Sequence, residues 1–175
     1  MAALTQKDLR RLFKLLNEEL KQSHTEAELF LVGGAVMCLA YDARASTQDV
    51  DALFRPAAEV RAAATRVARR ARIAPDWLND AVKGYMSPQG DFAPFLELDH
   101  LRVMFAQPQY LLAMKCLALR IGEEFHDEED VRYLLRYLNV GGYEQALEII
   151  TRFYPAERFP QKALYALAEL LPGRA

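Results

Sequence analysis

Leu29-Phe-Leu-Val-Gly-Gly34 and Ser46-Thr-Gln-Asp-Val-Asp-Ala-Leu-Phe54 are the two stretches that decide how this chain is built. The first is a short apolar run that ends in paired glycines, the pattern of a buried strand entering a tight turn. The second places Asp49 and Asp51 at alternate positions of an extended segment, so both carboxylates point to one face. Two carboxylates aimed at one spot are the beginning of a metal site. Glycines without side chains let backbone amides come close to a phosphate, so the Gly33-Gly34 pair and the acid pair belong to one argument.

Outward from these stretches, the spacing of Leu9, Leu12, Phe13, Leu16 and Leu20 predicts a helix over Thr5 to Lys21, capped by Thr5. A strand through Leu29 to Val32 leads to a helix through Ala35 to Tyr41, then to an acid-bearing strand over Val50 to Phe54. Pro56 opens another helix, reaching Arg72, with Val60, Ala64, Val67 and Ala71 on one face. Pro75-Asp76 predicts a further helical turn. Phe95-Leu-Glu-Leu-Asp99 alternates apolar and acidic residues as a half-buried strand does, and Leu101 to Ala106 is expected to pair with it as a hairpin. From Pro108 only helix signals remain, over Pro108 to Ile121, Asp127 to Leu138, Tyr143 to Phe153 and Gln161 to Leu171. The fold expected is α+β: a small mixed sheet with helices on one face (1–107), then a C-terminal helical bundle (108–175).

The 175 residues, 52% apolar and 26% charged, suffice for a core of this size. A net charge of −2 does not mark the chain as a polyanion binder, although residues 55–83 hold seven Lys/Arg against three acids. Arg61, Arg66, Arg69, Arg70 and Arg72 could follow a nucleic-acid backbone or form a solvated face. Cys38 and Cys116 lie in apolar contexts without metal or redox spacing and are expected to be buried thiols. No leader is visible and no apolar run approaches the roughly 20 residues that cross a bilayer, so a cytoplasmic protein without membrane association is expected.

Gly33-Gly34 followed by Ser46-Thr-Gln-Asp-Val-Asp51 resembles the signature of the nucleotidyltransferase (polymerase β-like) superfamily, in its small bacterial branch. Asp76-Trp-Leu-Asn-Asp80 and Tyr110-Leu-Leu-Ala-Met-Lys-Cys-Leu-Ala-Leu-Arg120 look like the stand-alone, toxin-type members grouped as DUF6036-type nucleotidyltransferases. The resemblance implies transfer of a nucleotidyl group from a nucleoside triphosphate to a hydroxyl, with Mg²⁺, or alternatively Mn²⁺, as cofactor. Asp49 and Asp51 would be catalytic metal ligands. The family's third carboxylate comes from a neighbouring strand; Glu97 is preferred here, with Asp99 as the alternative. Gly33 and Gly34 would face the triphosphate, and by the resemblance Lys115 would bind it too, with an acid of the Asp127-x-x-Asp130 pair orienting the lysine or the acceptor. Ser46 and Thr47 either donate to phosphate or cap the chain before the strand.

Other residues read as structure. Arg44 precedes the acid motif and is either a phosphate contact or a solvated side chain. Arg120 is expected to pair with Asp127 or Asp130 within Glu123-Glu-Phe-His-Asp-Glu-Glu-Asp130. His126 starts a helix, and His24 and His100 carry no motif. Trp77 is a core residue rather than a base-stacking platform. Family members of this kind act on transfer RNA at its 3′ end or on protein hydroxyls, and the sequence does not choose between an RNA and a protein acceptor. The resemblance further suggests the toxin half of a toxin–antitoxin module with a cognate antitoxin or partner protein. Two alternatives remain at this level: a non-catalytic regulator that keeps the fold, and an antitoxin-like interaction module.

Overall fold

The computed structural model describes residues 2–120, 122 and 126–171. The elements run β1 (Leu4–Thr5), α1 (Gln6–Gln22), β2 (Ala27–Val32), α2 (Gly33–Leu39), β3 (Ser46–Thr47), β4 (Val50–Arg55), α3 (Ala57–Ala71), β5 (Leu78–Asn79), β6 (Phe92–Glu97), β7 (Leu101–Ala106), α4 (Pro108–Leu117), α5 (Asp127–Tyr137), α6 (Tyr143–Ile150) and α7 (Gln161–Leu170). This is the α+β class expected. The chain divides into two units, one of residues 1–84 with 92–106, the other of residues 85–91 with 107–175.

In the first unit α1 begins with a capping box: the Asp8 N–H donates to Thr5 Oγ1 at 3.3 Å and the Thr5 N–H donates to Asp8 Oδ2 at 2.9 Å. Such a cap contributes about 1 kcal/mol. Burial matters more, because Leu9, Leu12, Phe13, Leu16 and Leu20 are all buried, at about 1.5–3 kcal/mol for each large apolar side chain. They lie with α3, whose Val60, Ala63, Ala64, Val67 and Ala68 are also buried. Arg66 Nε meets Glu19 Oε2 at 2.7 Å and Arg70 Nη1 meets Glu18 Oε2 at 2.7 Å, joining α3 to α1.

The five-stranded sheet has the order β5-β4-β2-β7-β6. β2 is antiparallel to β4 and parallel to β7, β6 and β7 form the expected hairpin, and β5 lies parallel to β4. One face carries Ala27, Leu29, Leu31, Val50, Ala52, Phe54, Leu101 and Val103, all buried. The alternate residues Phe30, Asp51, Leu53 and Met104 are half-buried on the other. Leu4 and Thr5 pair with Thr47 and Ser46 in a separate two-stranded ribbon, which the sequence did not signal.

Two expectations need correction in this unit. Pro75-Asp76 begins no helix; the chain turns there and enters β5, whose Leu78 and Asn79 pair with Val50 and Asp51. Trp77 explains why: its indole N–H donates to the Ala64 carbonyl at 3.1 Å and its own carbonyl accepts from the Val50 N–H at 2.7 Å, so the segment is drawn out alongside β4. Asp99 lies beyond the end of β6, in the turn to β7, where it does not share a strand face with Glu97.

In the second unit α4 is the central helix, with every residue from Tyr110 to Leu117 buried, and α5, α6 and α7 all contact it. Residues 85–91, which the sequence boundary at 107 assigns to the core, belong with these helices. The Ser87 N–H donates to Tyr110 Oη at 2.9 Å, Ser87 Oγ donates to the Phe153 carbonyl at 2.5 Å, and Tyr154 Oη donates to the Tyr85 carbonyl at 2.5 Å. Gly90 lies so close to the Tyr110 ring that a β carbon there would sit 2.8 Å from its Cε1. Ile121 and Glu123 to Phe125, part of the expected helix end and acidic run, lie outside the described residues.

Candidate functional site

The site forms at the end of β2, where the chain must turn sharply. Gly33 has φ of +68°, a left-handed conformation that costs an L side chain roughly 1–2 kcal/mol. The β2/β4 register sets Asp51 opposite Val32, the residue before this turn. A β carbon on Gly33 would stand 3.1 Å from Asp51 Oδ2. The diglycine and the second acid therefore meet because of strand register, and the missing side chain leaves the room the carboxylate occupies.

Gly34 is crowded from the other side. A β carbon there would lie 2.8 Å from Arg44 Nη1 and 2.9 Å from Thr47 Oγ1, distances that real β carbons do not tolerate. Thr47 is buried, held in its ribbon by Leu4, and its hydroxyl donates to the Asp49 carbonyl at 3.1 Å. Ser46 is half-buried opposite Thr5. Asp49 lies one residue before β4 and is half-buried like Asp51; its Oδ2 accepts from Asn79 Nδ2 at 3.3 Å. Gly33, Gly34, Thr47, Asp49 and Asp51 thus form one neighbourhood, joined by Arg44 and Asn79. Asn79, within the Asp76–Asp80 run that carries part of the resemblance, has no role legible in residue order, because the segment reads as a helix start and its register with Asp51 exists only in the sheet.

Glu97 is not brought to this site. β6 lies three strands from β4, about 14 Å across the sheet, and Glu97 aligns through Arg102 with Glu28, four residues and about 13 Å along β2 from Val32. It is exposed and pairs with Arg102 at 3.4 Å. Asp99 is engaged as well. Its carboxyl is held below the ordinary range by its own backbone N–H and by Lys21, at 3.2 Å, and Asn17. Among the described residues no group of three or more His, Cys, Asp or Glu side chains is placed to hold a metal ion. Two carboxylates nevertheless fit Mg²⁺, which keeps waters and takes phosphate oxygens for its remaining positions.

Lys115 belongs to the helical unit. Its ammonium lies 2.7 Å from Asp130 Oδ2 and 3.1 Å from Asp127 Oδ1, with the lysine and both acids buried. Arg120 Nε reaches Asp127 Oδ2 at 2.8 Å, the pairing expected from sequence. Burial by itself would raise the Asp127 carboxyl; Arg120 and Lys115 outweigh it and hold the group below its usual range. Any phosphate would compete with two carboxylates for this lysine.

The other residues are structural. Trp77 is buried. Both thiols are buried, and burial pushes Cys116 up to about 12 and raises Cys38, so neither is a reactive thiolate. His126 meets Glu129 at 3.1 Å beside the start of α5. Of the α3 arginines, Arg61, Arg66 and Arg70 are engaged by Asp80, Glu19 and Glu18, which lowers the charge that face offers a polyanion. Among the described residues no helix is long and apolar enough to cross a membrane. No family model, curated protein or solved structure matches the chain.

Proposed function

We propose that this chain is a Mg²⁺-dependent nucleotidyltransferase that moves a nucleotidyl group from a nucleoside triphosphate to a hydroxyl of RNA or protein. The observation that carries the reading is the meeting of Asp51 with the left-handed Gly33, next to Gly34 with Arg44 and Thr47 against it, while Asn79, the sheet partner of Asp51, bonds Asp49. Carboxylates, a bare backbone turn and a guanidinium in one neighbourhood match the needs of a metal-bound polyphosphate.

Asp49 and Asp51 would hold the cation, which when bound would neutralise charge developing on the phosphates and lower the pKa of a coordinated hydroxyl. The chain's own residues do the positioning. The bare Gly33 and Gly34 let the Asp51 carboxylate and the Arg44 and Thr47 side chains close on the turn, and Arg44 supplies a cation with a planar donor fork suited to phosphate oxygens. Thr47 ties its hydroxyl to the Asp49 carbonyl and so holds the loop entering β4. In the reaction the acceptor oxygen bonds to the α-phosphorus, the bond to pyrophosphate breaks, and the hydroxyl proton is released. Mn²⁺ would serve in the same ligand set. Transfer RNA, through its 3′ end, is one candidate acceptor, and action as a toxin restrained by a partner protein follows the same resemblance.

A second reading, a nucleotide-binding regulator without transferase activity, draws support from Glu97 and Asp99, whose partners lie elsewhere, leaving two carboxylates at the site. One experiment separates the two. The protein is incubated with Mg²⁺ and each labelled nucleoside triphosphate, with total RNA or cell lysate as acceptor. Transfer that disappears in Asp49→Ala/Asp51→Ala supports the enzyme; nucleotide binding without transfer supports the regulator; transfer that survives the double substitution removes the proposed site.

A further inference from the structure

The half-buried face of the sheet carries two further rows of side chains beyond Asp51. Two residues along β4, about 7 Å from Asp51, Leu53 stands opposite Phe30 on β2; Phe30 stands opposite Met104 on β7, and Met104 opposite Pro94 on β6. Directly paired residues share a face, so these four make one apolar row across four strands, about 14 Å wide. Leu53, Phe30 and Met104 are half-buried and Pro94 is exposed. Phe92 meets the Phe30 ring edge-on at 5.2 Å and supports it from the side. The next row is charged: Arg55, Glu28, Arg102 and Glu97 align in the same register with alternating sign. Arg102 lies 3.7 Å from Glu28 and 3.4 Å from Glu97, and the Arg55 guanidinium, 5.2 Å from the centre of the Phe30 ring, closes that end of the apolar row.

We propose that the row of Leu53, Phe30 and Met104 is the floor on which the base of the nucleoside triphosphate lies, and that it selects purines by size. The inference rests on the reading that the acid pair and the diglycine turn hold a metal-bound polyphosphate, and it goes further by naming what selects the nucleotide. A nucleotide whose phosphates meet a cation at Asp51 reaches the row through its ribose. The row has no side-chain hydrogen-bond donor and only the weak Met104 thioether as acceptor. It therefore offers a base contact area and cannot read its edge. Purines, with two fused rings, bury more surface there than pyrimidines, while adenine and guanine are treated alike. The charged row beyond brings Glu28 and Glu97 against Arg55 and Arg102 and holds no surplus of cations for a following phosphate, so the occupant is a single nucleotide and not a strand.

The test is isothermal titration calorimetry of the full chain in Mg²⁺, without acceptor, with ATP, GTP, CTP, UTP and inorganic tripolyphosphate as ligands. In wild type, ATP and GTP should bind alike, about tenfold more tightly than tripolyphosphate and more tightly than CTP and UTP; this comparison needs no variant to fold. Met104→Gln keeps the length of the side chain and puts an amide into the row. It should weaken ATP toward the affinity of tripolyphosphate and leave tripolyphosphate itself unchanged, a split that a loss of folding would not produce. Leu53→Ala should behave the same way. Nucleoside triphosphates that bind no more tightly than tripolyphosphate, a marked preference between ATP and GTP, or wild-type ATP affinity in both variants overturns the base floor while leaving the acid pair intact. Tripolyphosphate that does not bind, or whose binding survives Asp49→Ala/Asp51→Ala, overturns the site reading itself, and the inference with it.

Discussion

Replacing Gly34 with alanine separates the two glycines by mechanism. The added β carbon would lie 2.8 Å from Arg44 Nη1 and 2.9 Å from Thr47 Oγ1, about 0.6 Å inside the roughly 3.5 Å at which non-bonded atoms settle. Arg44 can give way at the far end of a flexible side chain. Thr47 cannot do so freely, because it is buried and its hydroxyl donates to the Asp49 carbonyl at 3.1 Å. Overpacking of this kind costs about 1–3 kcal/mol, and the strained hydrogen bond adds about 1 kcal/mol. Alanine in place of glycine in a helix returns about 1 kcal/mol, leaving a net loss of about 2 kcal/mol. Gly33→Ala differs: φ of +68° costs about 1–2 kcal/mol, and its β carbon would press on Asp51 Oδ2, so the larger loss falls on cation affinity. The single tryptophan, Trp77, is buried in the same unit, so urea denaturation followed by its fluorescence reports the relevant transition. Mn²⁺ titration supplies the second axis. A Gly34→Ala protein as stable as wild type, or a Gly33→Ala protein with wild-type Mn²⁺ affinity, would refute the packing argument.

The helical unit should respond to its buried charges. Lys115→Ala leaves Asp127 and Asp130 without their shared cation and should cost about 3–5 kcal/mol, seen as an earlier thermal transition in calorimetry. Asp127 is depressed in the folded state, so its stabilising share is present above the ordinary carboxylate range and is lost as pH falls through its folded value. Asp127→Asn should therefore flatten the acid limb of a stability-against-pH curve, and an unchanged limb would contradict the assignment. Trp77→Phe removes the donor to Ala64 and should cost about 1–3 kcal/mol in urea denaturation monitored by circular dichroism.

Local pattern was enough for the elements whose apolar spacing has a single period. α1 with its Thr5 cap, the strands through Leu29 and Val50, the β6/β7 hairpin and the starts of α4, α5, α6 and α7 could all be read from residue order. Elements stabilised only by distant partners left no such trace. β1 and β3 are two residues each and exist because they pair with one another, and β5 exists because Trp77 anchors it beside β4. Residues 85–91 carry no periodicity and are held to the helices by the Tyr110 and Tyr154 hydroxyls and the Phe153 carbonyl.

The same division runs through the site. Alternation along an extended chain sufficed to put Asp49 and Asp51 on one side, and two glycines sufficed to announce the turn, since both depend on backbone geometry within a few residues. Which other side chains join them depends on strand order and register, properties of the folded sheet alone. An acid at position 97 shares a face with Asp51 yet lies three strands away, while an amide at position 79 sits at its side. For Lys115 the resemblance implied a triphosphate contact with one acid of the Asp127/Asp130 pair beside it, and it is the packing of α5 on α4 that gives it both carboxylates.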